Sequence, residues 1–174
     1  SPDYGLSEER IGRFISSRRN EYFLATKCGC NPQDKGDVVE TPHLWTRDNL
    51  LRNIGESLER MQTDHVDILQ LHNPKPEEVA GEDLVAVLKE IKAQGMTRFI
   101  GISTTLPYLP DYAAGGEFDT FQIPYSCLQP EHRLAITAAA ETDAGTIIRG
   151  GIARGGPESD VSPAIRRLVV TLIS

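Results

Sequence analysis

A chain of 174 residues is long enough for one domain with an apolar core, and a net charge of −7 without clustered Lys or Arg excludes a nucleic-acid surface. No apolar run approaches the roughly 18 residues of a membrane span, and the start, Ser1-Pro2-Asp3-Tyr4-Gly5, has neither the basic segment nor the apolar stretch of a secretory leader. Cys28, Cys30 and Cys127 are too few and too uneven for a disulfide framework, which points to a reducing, cytoplasmic compartment.

In chain order, Ser7 is placed to cap a first helix, with Glu8 and Glu9 at its positive end and Ile11, Phe14 and Ile15 as its apolar face. Tyr22-Phe23-Leu24-Ala25-Thr26-Lys27 reads as a strand, followed by a Gly/Pro/Asp-rich loop to about Pro42. Within that loop, Cys28-Gly29-Cys30 is too tightly spaced for a zinc half-site, whose ligands usually have about two to four residues between them. No metal site is therefore expected. Thr46 caps a second helix in which Leu50, Leu51, Ile54, Leu58 and Met61 recur at steps of three and four. Val66-Asp67-Ile68-Leu69-Gln70-Leu71-His72 is the next strand.

Leu84, Val87, Leu88 and Ile91 stripe a third helix that ends near Gly95, and Arg98–Ser103 follows as a strand. A helix around residues 108–114 is interrupted by Pro107 and Pro110, Thr120–Ile123 is a strand, and Pro130–Glu141 is an Ala-rich helix. Thr146–Arg149 is a strand, a glycine-rich loop covers residues 150–156, and Ser162-Pro163 opens a last helix in cap-then-proline order. His65 and His132 read as surface residues. Five short strands alternating with helices imply a single α/β domain over 1–174, with a parallel sheet either doubly wound or closed as a barrel.

The informative pattern is where polar residues fall. Each apolar strand ends on a functional head: Lys27, His72, Ser103, Gln122 and Arg149. In a parallel barrel all the strand C-termini lie at one face, and that face carries the chemistry. Strands also end wherever polarity begins, which accounts for Ser103 and Gln122 without any function. It accounts less well for Lys27 and His72, which follow their apolar runs directly.

The local sequences resemble the aldo-keto reductase family. Tyr4-Gly5-Leu6-Ser7-Glu8 with Gly12 is similar to the family's opening motif, and Thr26-Lys27 to its Thr-Lys strand end. Ser57-Leu58-Glu59-Arg60-Met61, then Asp64-His65-Val66-Asp67 running to His72, resembles its most specific signature. Gly101-Ile102-Ser103 and Phe121-Gln122 resemble two later cofactor-contact strands, and the matches keep family order to about residue 156.

The resemblance implies a (β/α)8 TIM barrel of which about five of eight strands are present, counted as the third to the seventh. It implies Tyr4 as general acid to a substrate carbonyl oxygen, His72 as a second hydrogen-bond donor to that oxygen, and Lys27 as the ammonium beside the phenol. A free phenol, with a pKa near ~10, holds its proton too tightly for easy donation at neutrality, and an adjacent positive charge favours the phenolate. Ser103, Thr104 and Gln122 match nicotinamide-contact positions, with Thr104 standing where the family usually has Asn. Arg149 stands where many members place an aromatic stacker. The implied cofactor is NADP(H), with NAD(H) the alternative, and the implied partner is a small-molecule carbonyl substrate, with no nucleic acid or membrane. The family's catalytic Asp position falls before Ser1, and its adenosine-phosphate cluster after the eighth strand.

Trp45 and His43, in the loop before the second helix, and Tyr125, after the strand at 120–123, are candidates to line a substrate pocket; Trp45 and Tyr125 could equally be packing residues. Two other functions fit the same residues: a cofactor-binding regulatory or channel-associated barrel with little turnover, and a different parallel-barrel enzyme. Turnover of aldehydes with NADPH separates the first from an enzyme, and the ordered contexts of Tyr4, Lys27 and His72 argue against the second.

Overall fold

The computed structural model describes residues 4–36, 39–127 and 129–151. Helix α1 (Ser7–Ile15) runs into a short 3-10 turn (Ser16–Glu21) and leads to strand β1 (Ala25–Cys28). A small antiparallel pair, β2 (Gln33–Asp34) and β3 (Val39–Glu40), decorates the loop before α2 (Arg47–Met61). Strand β4 (Val66–His72), helices α3 (Pro76–Gly81) and α4 (Leu84–Ala93), and strand β5 (Thr97–Ser103) follow. Helix α5 (Leu109–Gly115), strand β6 (Thr120–Pro124), a 3-10 turn (Pro130–His132), α6 (Arg133–Glu141) and strand β7 (Gly145–Arg149) complete the order. The five long strands form one parallel sheet in the order β1-β4-β5-β6-β7. The predicted helix opened by Ser162-Pro163, and most of the predicted glycine-rich loop, lie outside the described residues.

Strand alternation divides the sheet into two chemically different faces. Leu69, Leu71, Ile100, Ile102, Phe121 and Ile123 point one way and pack with Leu50, Ile54, Leu84, Leu88 and Ile91 of the helices. Each such buried aliphatic side chain is worth about 1.5–3 kcal/mol relative to exposure. The opposite parity carries Lys27, Gln70, His72, Gly101, Ser103, Thr120 and Gln122, aligned by the registers Lys27↔Gln70↔Gly101↔Thr120 and His72↔Ser103↔Gln122. The helices cover the apolar face, so the polar face is turned inward, where a barrel keeps its interior.

Three local expectations are corrected. Ser7 does not cap α1; Leu6 occupies the cap position without a side-chain hydrogen bond, and Ser7 is the first helical residue. Strand β1 is shorter than the apolar run and shifted, ending at Cys28, because Asp67 pins the backbone at Leu24, whose N–H donates to Asp67 Oδ2 at 2.8 Å. His132 is buried, its Nε2 lying 2.7 Å from Thr105 Oγ1 and accepting from the Leu106 N–H at 3.3 Å. Thr46 does cap α2, its Oγ1 accepting from the Asn49 N–H at 3.3 Å. The close packing of α1 on α2 requires Gly12, where a Cβ would overlap the Arg60 carbonyl.

Candidate active site

The C-terminal edge of the sheet brings together residues far apart in sequence. Lys27, on β1, places Nζ 3.5 Å from Tyr4 Oη and 5.0 Å from the centre of that ring. His72, the last residue of β4, has its ring 6.2 Å from that of Tyr4. Ser103, the last residue of β5, is in register with both His72 and Gln122. An acidic hydroxyl, an ammonium and an imidazole thus share one edge beside a row of hydroxyl and amide groups.

Lys27 is held from below. Its neighbour Thr26 donates through Oγ1 to Glu8 Oε1 at 2.6 Å, and Arg60 Nε donates to Glu8 Oε2 at 2.9 Å. The buried Glu8 carboxylate therefore ties α1, which follows Tyr4, to both β1 and α2. The foot of the sheet is tied in a similar way by Asp67, which is almost fully buried. Burial alone would raise its pKa, but the Leu24 N–H and the guanidinium groups of Arg19 and Arg98 outweigh that and hold it below the ordinary carboxylate value.

The loop after β1 forms one wall of the site. Gly29 has φ +105°, and a Cβ there would run into the Trp45 ring, so the indole lies directly over this glycine. Trp45 stacks on His43 with ring centres 5.1 Å apart, and His43 meets His72 edge-on at 5.2 Å. Two buried amides of α2 brace the loop. Asn53 Oδ1 accepts from the Gly29 N–H at 2.8 Å, and Asn49 Nδ2 donates to Leu44 O at 2.7 Å. Sequence reasoning missed this pair, although polar residues at i and i+4 beside Leu50 and Ile54 on the buried stripe were a legible signal.

The remaining predicted residues fall as follows. Ser103 and Thr104 are buried; the Thr104 hydroxyl has no hydrogen-bond partner among the described residues, and its N–H donates to Gln122 O at 3.1 Å. Gln122 is half-buried in the middle of β6 rather than at its end. Arg149 ends β7 and is exposed, its carbonyl accepting from the N–H of the half-buried Tyr125 at 3.1 Å. A separate groove of about 670 Å³ along α1 includes Tyr4, Leu6 and Ile11 but neither Lys27 nor His72. Among the described residues no helix is long and apolar enough to cross a membrane.

Parallel strands with helices on one face and polar groups at one strand edge define a chain of the (β/α) barrel class. The Aldo/keto reductase family model matches residues 1–157, and the chain belongs to that family. It is 28% identical over 156 residues to the aldo-keto reductase YhdN of Bacillus subtilis, covering 87% of this chain and 46% of that protein. It is 29% identical over 136 residues to an NADH-specific methylglyoxal reductase of Escherichia coli, covering 72% of this chain and 42% of that one. In fold it resembles the holo form of an aldo-keto reductase from Bacillus halodurans, with a TM-score of 0.82 at 24% identity over 97% of this chain and 59% of that chain. The chain spans about half the length of the curated relatives it matches.

Proposed function

We propose that the full-length protein reduces the carbonyl group of a small aldehyde or ketone to an alcohol, with Tyr4 as general acid. The observation that carries this reading is the Lys27 ammonium 3.5 Å from the Tyr4 phenol, with the His72 ring beside it at the strand edge. A nicotinamide cofactor supplies the hydride when bound. Its carboxamide needs both donors and acceptors, and the hydroxyl of Ser103 and the amide of Gln122, adjacent in register, are groups of that kind. Thr104, whose N–H donates to Gln122 O, and Arg149, at the end of the neighbouring strand β7, serve as further contacts to the cofactor in this reading.

Tyr4 hydrogen-bonds the carbonyl oxygen and gives up its phenolic proton as negative charge develops there. Lys27 stabilises the phenolate left behind, and His72 donates a second hydrogen bond that orients the carbonyl. Trp45 and Tyr125 line the approach to the site. The test follows the oxidation of NADPH and of NADH, in parallel, over a panel of aldehydes and ketones. Tyr4→Phe is expected to lower kcat by about 10²–10⁴-fold. Turnover unchanged in Tyr4→Phe would overturn the mechanism.

A further inference from the structure

We propose that Cys30, His43 and His72 form a binding site for a single zinc ion at the wall of the active site. The thiol sulfur and one ring nitrogen from each histidine all lie within 4.8 Å of one another. Cys30 Sγ is already 3.3 Å from His72 Nδ1. Tetrahedral zinc, with bonds of about 2.3 Å to sulfur and about 2.0–2.1 Å to nitrogen, sets its ligand atoms about 3.3–3.6 Å apart. The cluster therefore needs only a contraction of about an ångström along its longest edge.

Two of the ligands sit on backbone that is already paired. Cys30 and His43 form an antiparallel bridge. It is flanked by the Leu44 N–H donating to Gly29 O at 2.8 Å and by the Asn31 N–H donating to Pro42 O at 2.8 Å. Asn49 Nδ2 also donates to Cys30 O at 3.4 Å, and Trp45 holds the His43 ring by stacking. The third ligand comes from the end of β4, in the rigid sheet. A site whose supports are in place before the ion arrives loses little ordering entropy on binding.

One thiolate and two imidazoles select a borderline-soft ion over Mg²⁺ or Ca²⁺. Three protein ligands leave the fourth position to water, so the site is open in the manner of an exchangeable centre rather than a closed structural one. On binding, the Cys30 S–H bond breaks, its proton passes to solvent, and the sulfur donates its electron pair to the metal. No change of oxidation state is involved, and the inference does not depend on carbonyl reduction.

The test uses the full-length protein, reduced and stripped of metal, titrated with Zn²⁺ against a chromophoric chelator. Co²⁺ serves in parallel as a spectroscopic substitute. The expected result is one equivalent of tight Zn²⁺ and a thiolate-to-cobalt charge-transfer band. Cys30→Ser and His43→Asn should each lose that band or perturb it and weaken Zn²⁺ at least about 100-fold, the upper end of what loss of a mere outer-shell partner does. Cys127→Ser, at an exposed cysteine, should bind as the parent does, and equimolar Mg²⁺ should not compete. His43 is exposed, so His43→Asn stays folded and decides the matter if Cys30→Ser does not. Absence of stoichiometric binding, full binding by His43→Asn, or binding that follows Cys127 would overturn the proposal.

Discussion

Replacing Asp67 by Asn tests how the sheet is anchored. Oδ2 of Asp67 accepts from the buried Leu24 N–H and from Arg19 Nη2, both at 2.8 Å, and Oδ1 accepts from Arg98 Nη1 at 2.8 Å. An amide of the same shape can keep only one of these sides as acceptor. The cheaper orientation turns the NH₂ towards Arg98, whose side chain is 54% exposed and can be rehydrated, a loss of about 0–1 kcal/mol. Arg19, 13% exposed, then faces a neutral oxygen in place of a carboxylate. Breaking a fully buried pair costs about 3–5 kcal/mol, and the retained hydrogen bonds bring the expected total to about 2–4 kcal/mol. That is a large share of the roughly 5–15 kcal/mol of a typical domain. Urea unfolding of parent and variant at neutral pH measures it.

The acid limb gives a second reading of the same group. A carboxyl held below its ordinary value contributes stability that is fully present above the unfolded pKa, ~3.9, and is lost as pH falls through the lower folded value. The gap between parent and Asp67→Asn should therefore close as the pH falls below about 4. A gap under about 1 kcal/mol at neutrality, or one unchanged in acid, would refute the role given to Asp67.

Three further outcomes are expected. Burial first, opposed by Glu131 and reinforced by Arg149, holds the His132 pKa below its ordinary value. Its neutral form contributes stability that is present above the unfolded pKa of ~6.5 and lost as pH falls towards the folded value, and His132→Gln should flatten unfolding midpoints measured between about pH 7 and pH 5. Gly29→Ala must accommodate φ +105° and displace the indole above it. Because Trp45 is the chain's single tryptophan, its emission should shift while stability drops by about 1–3 kcal/mol, and an unchanged spectrum would count against the described wall. Glu8→Gln weakens the charge-assisted bond from Arg60 and should cost about 1–3 kcal/mol by chemical denaturation, against a loss of only about 0.3–1 kcal/mol if Glu8 acted solely at the helix dipole.

Much of the fold was legible because strand and helix periods are local. The strand ending at His72, the cap at Thr46 and the stripe Leu84, Val87, Leu88, Ile91 were read from neighbouring residues, and the structure repeats them. The errors came where distant groups intervene. Ser7 had the residue type of a cap, but the helix begins one residue earlier than a Ser7 cap would require. His132 looked like a surface residue because nothing nearby in sequence reveals that residues 105 and 106 enclose it.

By itself the sequence determined the alternation that makes a parallel sheet and the motif order that carries family membership, since both depend on residue type and spacing along the chain. It also marked Tyr4, Lys27 and His72 as candidates. Only the tertiary structure decided which side chains share a space: Lys27 against Tyr4, Asn49 and Asn53 under the loop, and Cys30 with His43 beside His72. The tight Cys28-Gly29-Cys30 spacing speaks only against a zinc half-site made of those two thiols, and carries no information about groups distant in sequence. The fold turns Cys28 towards the helices and brings Cys30 to two histidines from other segments, because the strand ends at Cys28, Gly29 at φ +105° redirects the chain, and the loop returns His43 to pair with Cys30.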